Sequence, residues 1–249
     1  MDVAPRPRHG NPANPGAGDR VATLDWEGIT GALDADGHAV VRALLAPEEC
    51  RALAALYADE SLFRSRVVMA RHGYGKGEYR YFAYPLPDLV AKLRVALYPR
   101  LASLVNRWNE AMGSDVRYPT DHPTYLRRCR NAGQTKPTPL LLRYETGDYN
   151  HLHQDIYGEH VFPLQTAILL SAPETDFTGG EFVLTEQRPR MQSRVEVVPL
   201  SQGDAVIFPV RHRPIRGTRG LYRATMRHGV SRLRSGHRQT LGIIFHDAR

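Results

Sequence analysis

Tyr-Glu-Thr-Gly-Asp-Tyr-Asn-His-Leu-His-Gln-Asp, residues 144–155, is the stretch whose reading decides the rest of the chain. On a strand, residues i and i+2 project to one face, so His153 and Asp155 share a face while Gln154 points away. Far downstream, residues 228–240 read His-Gly-Val-Ser-Arg-Leu-Arg-Ser-Gly-His-Arg-Gln-Thr. Taking His228 with the earlier pair gives two imidazoles and one carboxylate. Such a set holds Fe(II) on one face and leaves three positions open for a co-substrate and O2. His151 lies two residues before His153, so a His-x-His pair is the competing assignment.

A lone His-x-Asp carries little weight. With 11 histidines in 249 residues, chance supplies on the order of 0.6 such pairs. The order of the neighbouring elements carries more. Thr-Gly-Gly-Glu-Phe-Val-Leu (178–184) follows the pair, then Gly-Asp-Ala-Val-Ile-Phe (203–208), then His228. Arg238 and Thr240 come next, two residues apart and therefore on one strand face.

In this order the chain resembles the Fe(II)/2-oxoglutarate dioxygenases, particularly their prolyl-hydroxylase-like branch. The resemblance covers residues 138–247 and, more loosely, the stretch from Leu33 onward. It favours Asp155 over His151 as the third ligand. It also implies that Arg238 binds the distal carboxylate of 2-oxoglutarate, with Thr240 beside it and Tyr144 adding a hydroxyl. A guanidinium suits that task because it grips a carboxylate with two parallel hydrogen bonds. The whole chain, through residues 63–82 and His-Leu-His-Gln-Asp, is similar to a bacterial oxygenase family thought to demethylate damaged nucleic acid.

The composition suits one domain with a sizeable core. Residues 1–20 read as a disordered tail, rich in Pro and Gly. Residues 21–249 read as a single oxygenase domain, with a helical and lid part at 21–137 and a β core at 138–249. Cys50 and Cys129 have no metal-binding spacing and make no disulfide framework. No secretory leader or membrane span is visible, so a cytoplasmic location is expected.

The formal net charge is +7, and its location is uneven. Nine arginines and no acid lie between Arg211 and Arg238, so the remainder of the chain sums to −2. This run predicts a basic face or loop that meets a polyanion, with Arg213, Arg216 and Arg219 as contacts. The bland alternative is a set of solvated arginines, since the chain has only three lysines.

Local signals order the elements. Asp25 predicts a helix start and Gly37 its end, and Pro47 opens a second helix. Leu93, Leu97, Leu101, Leu104 and Trp108 form one stripe on a long helix from Pro87 to about Met112. A short helix is expected near Thr124–Arg130. Residues 71–84 interleave glycines, bases and aromatics. They read either as a mobile substrate lid, with Tyr79 and Tyr81 as stacking residues, or as a hairpin packed on the long helix. Eight strands follow Pro139: 140–145, 151–156, 165–171, 181–184, 195–198, 205–208, 223–230 and 239–245. The expected architecture is mainly β (α+β), a double-stranded β-helix or jelly roll with N-terminal helices packed against its sheet. His212 is expected in a solvated loop, His237 pointing away from the cavity, and His246 at the surface or in a late structural contact.

The expected activity is Fe(II)- and 2-oxoglutarate-dependent oxidation of a substrate C–H by O2, with release of succinate and CO2. The favoured substrate is a damaged base in single-stranded or otherwise damaged nucleic acid. Alternatives are hydroxylation of a prolyl or other peptide side chain or of a small molecule, and a non-catalytic binding protein of the same fold.

Overall fold

The computed structural model describes residues 16–156, 158–217 and 220–249. The chain opens with helices α1 (Ala17–Ala22) and α2 (Trp26–Asp36), strand β1 (Ala39–Val41) and helix α3 (Pro47–Ala55). Strands β2 (Phe63–Val68), β3 (Gly75–Lys76) and β4 (Glu78–Phe82) precede the long helix α4 (Asp88–Ala111) and α5 (His122–Asn131). Ten strands complete the fold. They are β5 (Leu140–Glu145), β6 (Tyr149–His153), β7 (Leu164–Leu169), β8 (Phe177–Gly179) and β9 (Phe182–Gln187). Then come β10 (Arg194–Val198), β11 (Ala205–Pro209), β12 (His212–Gly217), β13 (Gly220–Val230) and β14 (Leu233–Ile244).

These strands form two antiparallel sheets, the jelly-roll arrangement expected. The larger runs β1-β11-β7-β14-β5-β4-β2, with β8 on β14; the smaller runs β10-β9-β13-β6-β3, with β12 on β13. Alternation along β14 sorts its side chains between two layers. Leu241 and Ile243 pack with Leu93, Leu97, Leu101 and Trp108 of α4 in the main core. Arg238, Thr240, Gly242 and Ile244 line the space between the sheets.

Caps set the helix ends. The Asp25 carboxylate accepts from Gly28 N at 2.9 Å, and Gly37 closes α2 at φ 78°. Pro47 starts α3, and Glu49 reaches back to Ala46 N at 2.9 Å. The tail expected over residues 1–20 is helical from Ala17, and residues 1–15 lie outside the described residues. Six residues do not hold a helix by propensity. Here Ala17 and Val21 are buried in the main core and Arg20 grips both oxygens of Glu49 at 2.8 and 3.0 Å.

Residues 71–84 take the hairpin form in part. Strand β4 pairs antiparallel with β2, and Phe82 is buried in the main core with α4. Tyr84 accepts a hydrogen bond from Arg94 of α4 at 3.0 Å, while Tyr79 and Tyr81 face the cavity. Strand β4 sits between β5 and β2, and its glycine-rich approach is pinned by backbone bonds such as Met69 N to Gly77 O at 3.0 Å. Gly75 has φ 124°, and a Cβ there would stand 2.4 Å from Tyr149 O, so glycine serves close strand approach and not mobility.

His246, expected at the surface or in a late structural contact, takes the second role: it is fully buried, as is Asp247 beside it. Arg94 of α4 donates to Ile244 O (2.8 Å), His246 O (3.0 Å) and Asp247 Oδ1 (2.9 Å), clamping the helix to the end of β14. His122 donates from Nε2 to Phe245 O at 2.7 Å, and His246 Nδ1 accepts from Phe162 N at 3.2 Å. Among the described residues no helix is long and apolar enough to cross a membrane.

Burial, and then the Arg94 charge, lower both His122 and His246 from 6.5 to about 3. Each is neutral in the fold, while the unfolded chain binds a proton below pH 6.5. Their contribution is therefore complete above pH 6.5 and lost as pH falls toward 3, about 2 kcal/mol per histidine by pH 5. The urea midpoint should drop between pH 7 and pH 5, and His122→Gln, which keeps a donor for Phe245 O, should flatten that drop. An unchanged wild-type midpoint would contradict the assignment.

Candidate active site

The smaller sheet brings its two distant histidines face to face. In the β13–β6 pairing, His228 lies opposite His153, with a bulge between His228 and Val230. Strand β6 ends at His153, two residues before Asp155 and short of the expected 151–156 strand. The chain still turns Asp155 inward, where it is 9% exposed. Its carboxylate oxygens lie 3.5 Å from His153 Nε2 and 3.3 Å from His228 Nε2. Both gaps exceed the roughly 2.7–2.9 Å of a closed charge-assisted hydrogen bond, as donors facing a shared ion should. One ligand atom from each residue falls within 4.8 Å of the others. His151 is exposed, and the structure does not bring it into this cluster.

Neighbouring groups orient the three donors. His153 Nδ1 is 2.7 Å from His151 O, which makes it the N–H donor and frees Nε2. Burial, and then the nearby His228, push the His153 pKa down, toward the neutral form that ligates metal. Gln165 Nε2 donates to Asp155 Oδ2 at 2.9 Å, and both side chains are buried. The Phe208 ring packs 4.7 Å from the His228 ring. Gln165 and Phe208 are the site residues that sequence reasoning missed. Their only sequence signal is alternation on the strands β7 and β11, which says that a residue faces inward and not what it meets.

These residues line a cavity of about 320 Å³ between the sheets. At one end stands Arg238, 2% exposed, which donates to Thr240 Oγ1 at 2.7 Å. Its guanidinium lies 5.7 Å from the centre of the buried Tyr144 ring and makes no ion pair with a described carboxylate. Glu181 favours its charge from a distance without an ion pair, and a buried cation with no directly bound acid is costly unless a ligand supplies one. Burial raises the Tyr144 hydroxyl to about 12, against the lowering effect of Arg238, so it remains a neutral donor. Arg238, Thr240 and Tyr144 thus stand together at one end of the cavity, and their chemistry fits a carboxylate. The His–Asp–His donor set fits Fe(II).

Tyr79 and Tyr81 also line the cavity, with their rings edge to face at 5.3 Å. Burial raises the Tyr79 pKa. Of the arginines expected to contact the substrate, Arg213 and Arg216 do not line the cavity. Arg213 is 1% exposed, bonding to Glu186 Oε2 (2.9 Å) and Asp34 O (2.9 Å), because the buried Glu186 requires a counter-charge. Arg216 is exposed on β12 and does not line the cavity; Arg219 lies outside the described residues. His212, expected in a solvated loop, is half-buried on β12.

Residues 77–248 match the model of a family described as an oxygenase catalysing oxidative methylation of damaged DNA. The chain belongs to this oxygenase family. It is 49% identical over 167 residues to Uncharacterized protein Rv2227 of Mycobacterium tuberculosis, covering 67% of this chain and 72% of that one. Solved structures share the fold of this oxygenase at low identity. A prolyl hydroxylase from Trichoplax adhaerens, in complex with a hypoxia inducible factor peptide, aligns at 13% identity and a TM-score of 0.55. That alignment covers 91% of this chain and 90% of that one. An oxidoreductase of the 2OG-Fe(II) oxygenase family from Burkholderia pseudomallei aligns at 15% and 0.54, covering 91% and 94%. The oxygenase is an oxidoreductase, and its His–Asp–His donor set could hold a metal ion such as Fe(II).

Asp155→Ala should abolish stoichiometric Fe(II) binding in anaerobic calorimetry, and Gln165→Leu should weaken it on the order of 10- to 100-fold. His151→Ala should bind as wild type does. A severe His151 variant with a mild Asp155 variant would overturn the ligand assignment. Arg238→Ala should retain Fe(II) and lose most 2-oxoglutarate affinity; equal affinities would move that role elsewhere.

Proposed function

We propose that this oxygenase demethylates damaged nucleic-acid bases, coupling oxidation of an N-methyl group to conversion of 2-oxoglutarate into succinate. The observation that carries the reading is the contents of one cavity. It joins the His153–Asp155–His228 donors, a buried Arg238 lacking a carboxylate, and the tyrosine walls Tyr79 and Tyr81. The family description supports damaged DNA as the substrate class. That description speaks of methylation, but insertion of oxygen into a methyl C–H removes the carbon and does not add it. The proposal is therefore demethylation.

In this reading His153, Asp155 and His228 hold the metal, and Arg238 with Thr240 and Tyr144 anchors the distal carboxylate of 2-oxoglutarate. When bound, the metal and 2-oxoglutarate would supply, with O2, the oxidising power for a substrate C–H, 2-oxoglutarate being converted to succinate and CO2. The chain's own residues position and shield. Gln165 fixes the Asp155 carboxylate, and the His153 Nδ1–H bond to His151 O fixes which nitrogen faces inward. Leu140, Leu142 and Phe208 exclude water from the cavity. Tyr79 and Tyr81 offer ring faces and edges to a base that has left its stack. The overall balance is N–CH3, O2 and 2-oxoglutarate giving N–H, formaldehyde, succinate and CO2. Cys50 and Cys129 are both buried and free, which suits the reducing cytoplasm we assign to the protein.

The test is a methylated single-stranded oligonucleotide incubated with the Fe(II)- and 2-oxoglutarate-loaded chain. Formaldehyde and succinate should appear in equal amounts, and Tyr79→Ala should reduce both without lowering 2-oxoglutarate affinity. Succinate formed on prolyl peptides but on no alkylated oligonucleotide would favour side-chain hydroxylation. No succinate with any substrate would favour a binding protein.

A further inference from the structure

The cavity mouth is bordered by two short segments that pair with each other, residues 69–77 and 149–154. Tyr74 O accepts from His151 N at 2.9 Å, Gly75 pairs with Asn150, and Lys76 pairs with Tyr149. Gly73, Tyr74, His151 and Leu152 are cavity-lining residues and are exposed, so this border faces both the cavity and solvent. Neither segment contains an Asp or a Glu. Arg71, His72, Lys76 and His151 are all exposed along it.

The aromatic groups here differ from those inside. Tyr74 is 49% exposed, and its ring stacks on that of His72 at 5.3 Å and 22°. The cations differ from their neighbours too. On the adjoining strands Arg66 is paired with Glu78 and Arg80 with Glu60, whereas Arg71 and Lys76 make no ion pair with a described residue. The border is also held in shape. Tyr74 N bonds to Met69 O at 3.1 Å, and Gly73 and Gly75 take φ values of 70° and 124°. A fixed, acid-free strip of cations beside an open ring stack is complementary to a phosphate backbone with unstacked bases.

We propose that this rim, and not Arg213 or Arg216, is the docking surface for the nucleotides that flank the target base on a single strand. Tyr74 stacks on a flanking base, and Arg71 and Lys76 contact phosphates on either side. The proposal rests on the nucleic-acid reading of the cavity and locates the strand outside it. The outer arginines Arg216, Arg223 and Arg227 are exposed on β12 and β13 but do not line the cavity, and they take no part in docking.

The experiment is fluorescence anisotropy of a labelled, unmodified oligothymidylate titrated with the full chain, loaded anaerobically with Fe(II) and 2-oxoglutarate, across a salt series. Arg71→Ala/Lys76→Ala should reduce the magnitude of the log–log salt slope by about 1.4, the share of two phosphate contacts on a single strand. Tyr74→Ala should weaken binding on the order of 10-fold with the slope unchanged, and Tyr74→Phe should restore it. Arg216→Ala/Arg223→Ala/Arg227→Ala should keep the wild-type slope. Equal 2-oxoglutarate affinity in every variant verifies that each is folded. The rim is overturned if its variants bind as wild type does, if the outer triple takes the loss, or if polyglutamate competes as well as oligothymidylate at equal charge. A wild-type chain that binds no oligothymidylate at any salt overturns the rim and the nucleic-acid reading together. Demethylation of oligonucleotides that is insensitive to the rim variants overturns the rim alone.

Discussion

The register of one strand pair governs the site. Strand β13 must lie against β6 with His228 opposite His153, and a one-residue slip would turn His228 to the outer face of the sheet. That register is held from the other side as well, where His228 lies opposite Leu184 of β9. Leu184 and Phe182 are buried with Phe208 beneath them, so the apolar packing between the sheets fixes the alternation that aims the imidazole inward. The metal-ligand geometry is thus a by-product of core burial, and it exists before any ion arrives.

The second constraint is electrostatic. Arg238 is buried beside Tyr144 and Phe177 and, among the described residues, donates its hydrogen bond to Thr240 Oγ1. Burial pushes its pKa down. Elsewhere in the chain a buried guanidinium is matched by an acid: Arg94 by Asp247, Arg213 by Glu186. Among the described residues Arg238 departs from that rule, with Glu181 favouring its charge but in no ion pair with it. Arg238 lines the cavity that also holds the three metal-type donors. A dicarboxylate spanning the cavity would meet the metal at one end and this charge at the other, relieving a cost that the fold alone leaves standing.

The pairing of His228 with His153 is long-range and is expected only through the family resemblance. His153 with Asp155, and Arg238 with Thr240, were legible because each pair sits two residues apart. Helix ends were legible for the same reason, through Asp25, Gly37 and Pro47. What failed depended on distant partners. Arg213 reads as a surface cation until Glu186, on a strand two places away, claims it. The glycines at 73, 75 and 77 left open a mobile or a sharply turned loop. All three take positive φ, and Gly75 allows the close approach of β3 to Tyr149 O, which no local window shows. Residues 17–20 read as tail because their packing on α4 and their bond to Glu49 lie outside any local window.

The central claim is that one cavity holds an iron ion at His153, Asp155 and His228 and a dicarboxylate anchored at Arg238. Crystals grown anaerobically with Fe(II) and 2-oxoglutarate, measured across the iron absorption edge, test it most directly. A single anomalous peak should lie among His153 Nε2, the Asp155 carboxylate and His228 Nε2, with 2-oxoglutarate reaching from it to the Arg238 guanidinium. An iron peak elsewhere, or 2-oxoglutarate bound away from Arg238, would contradict the account.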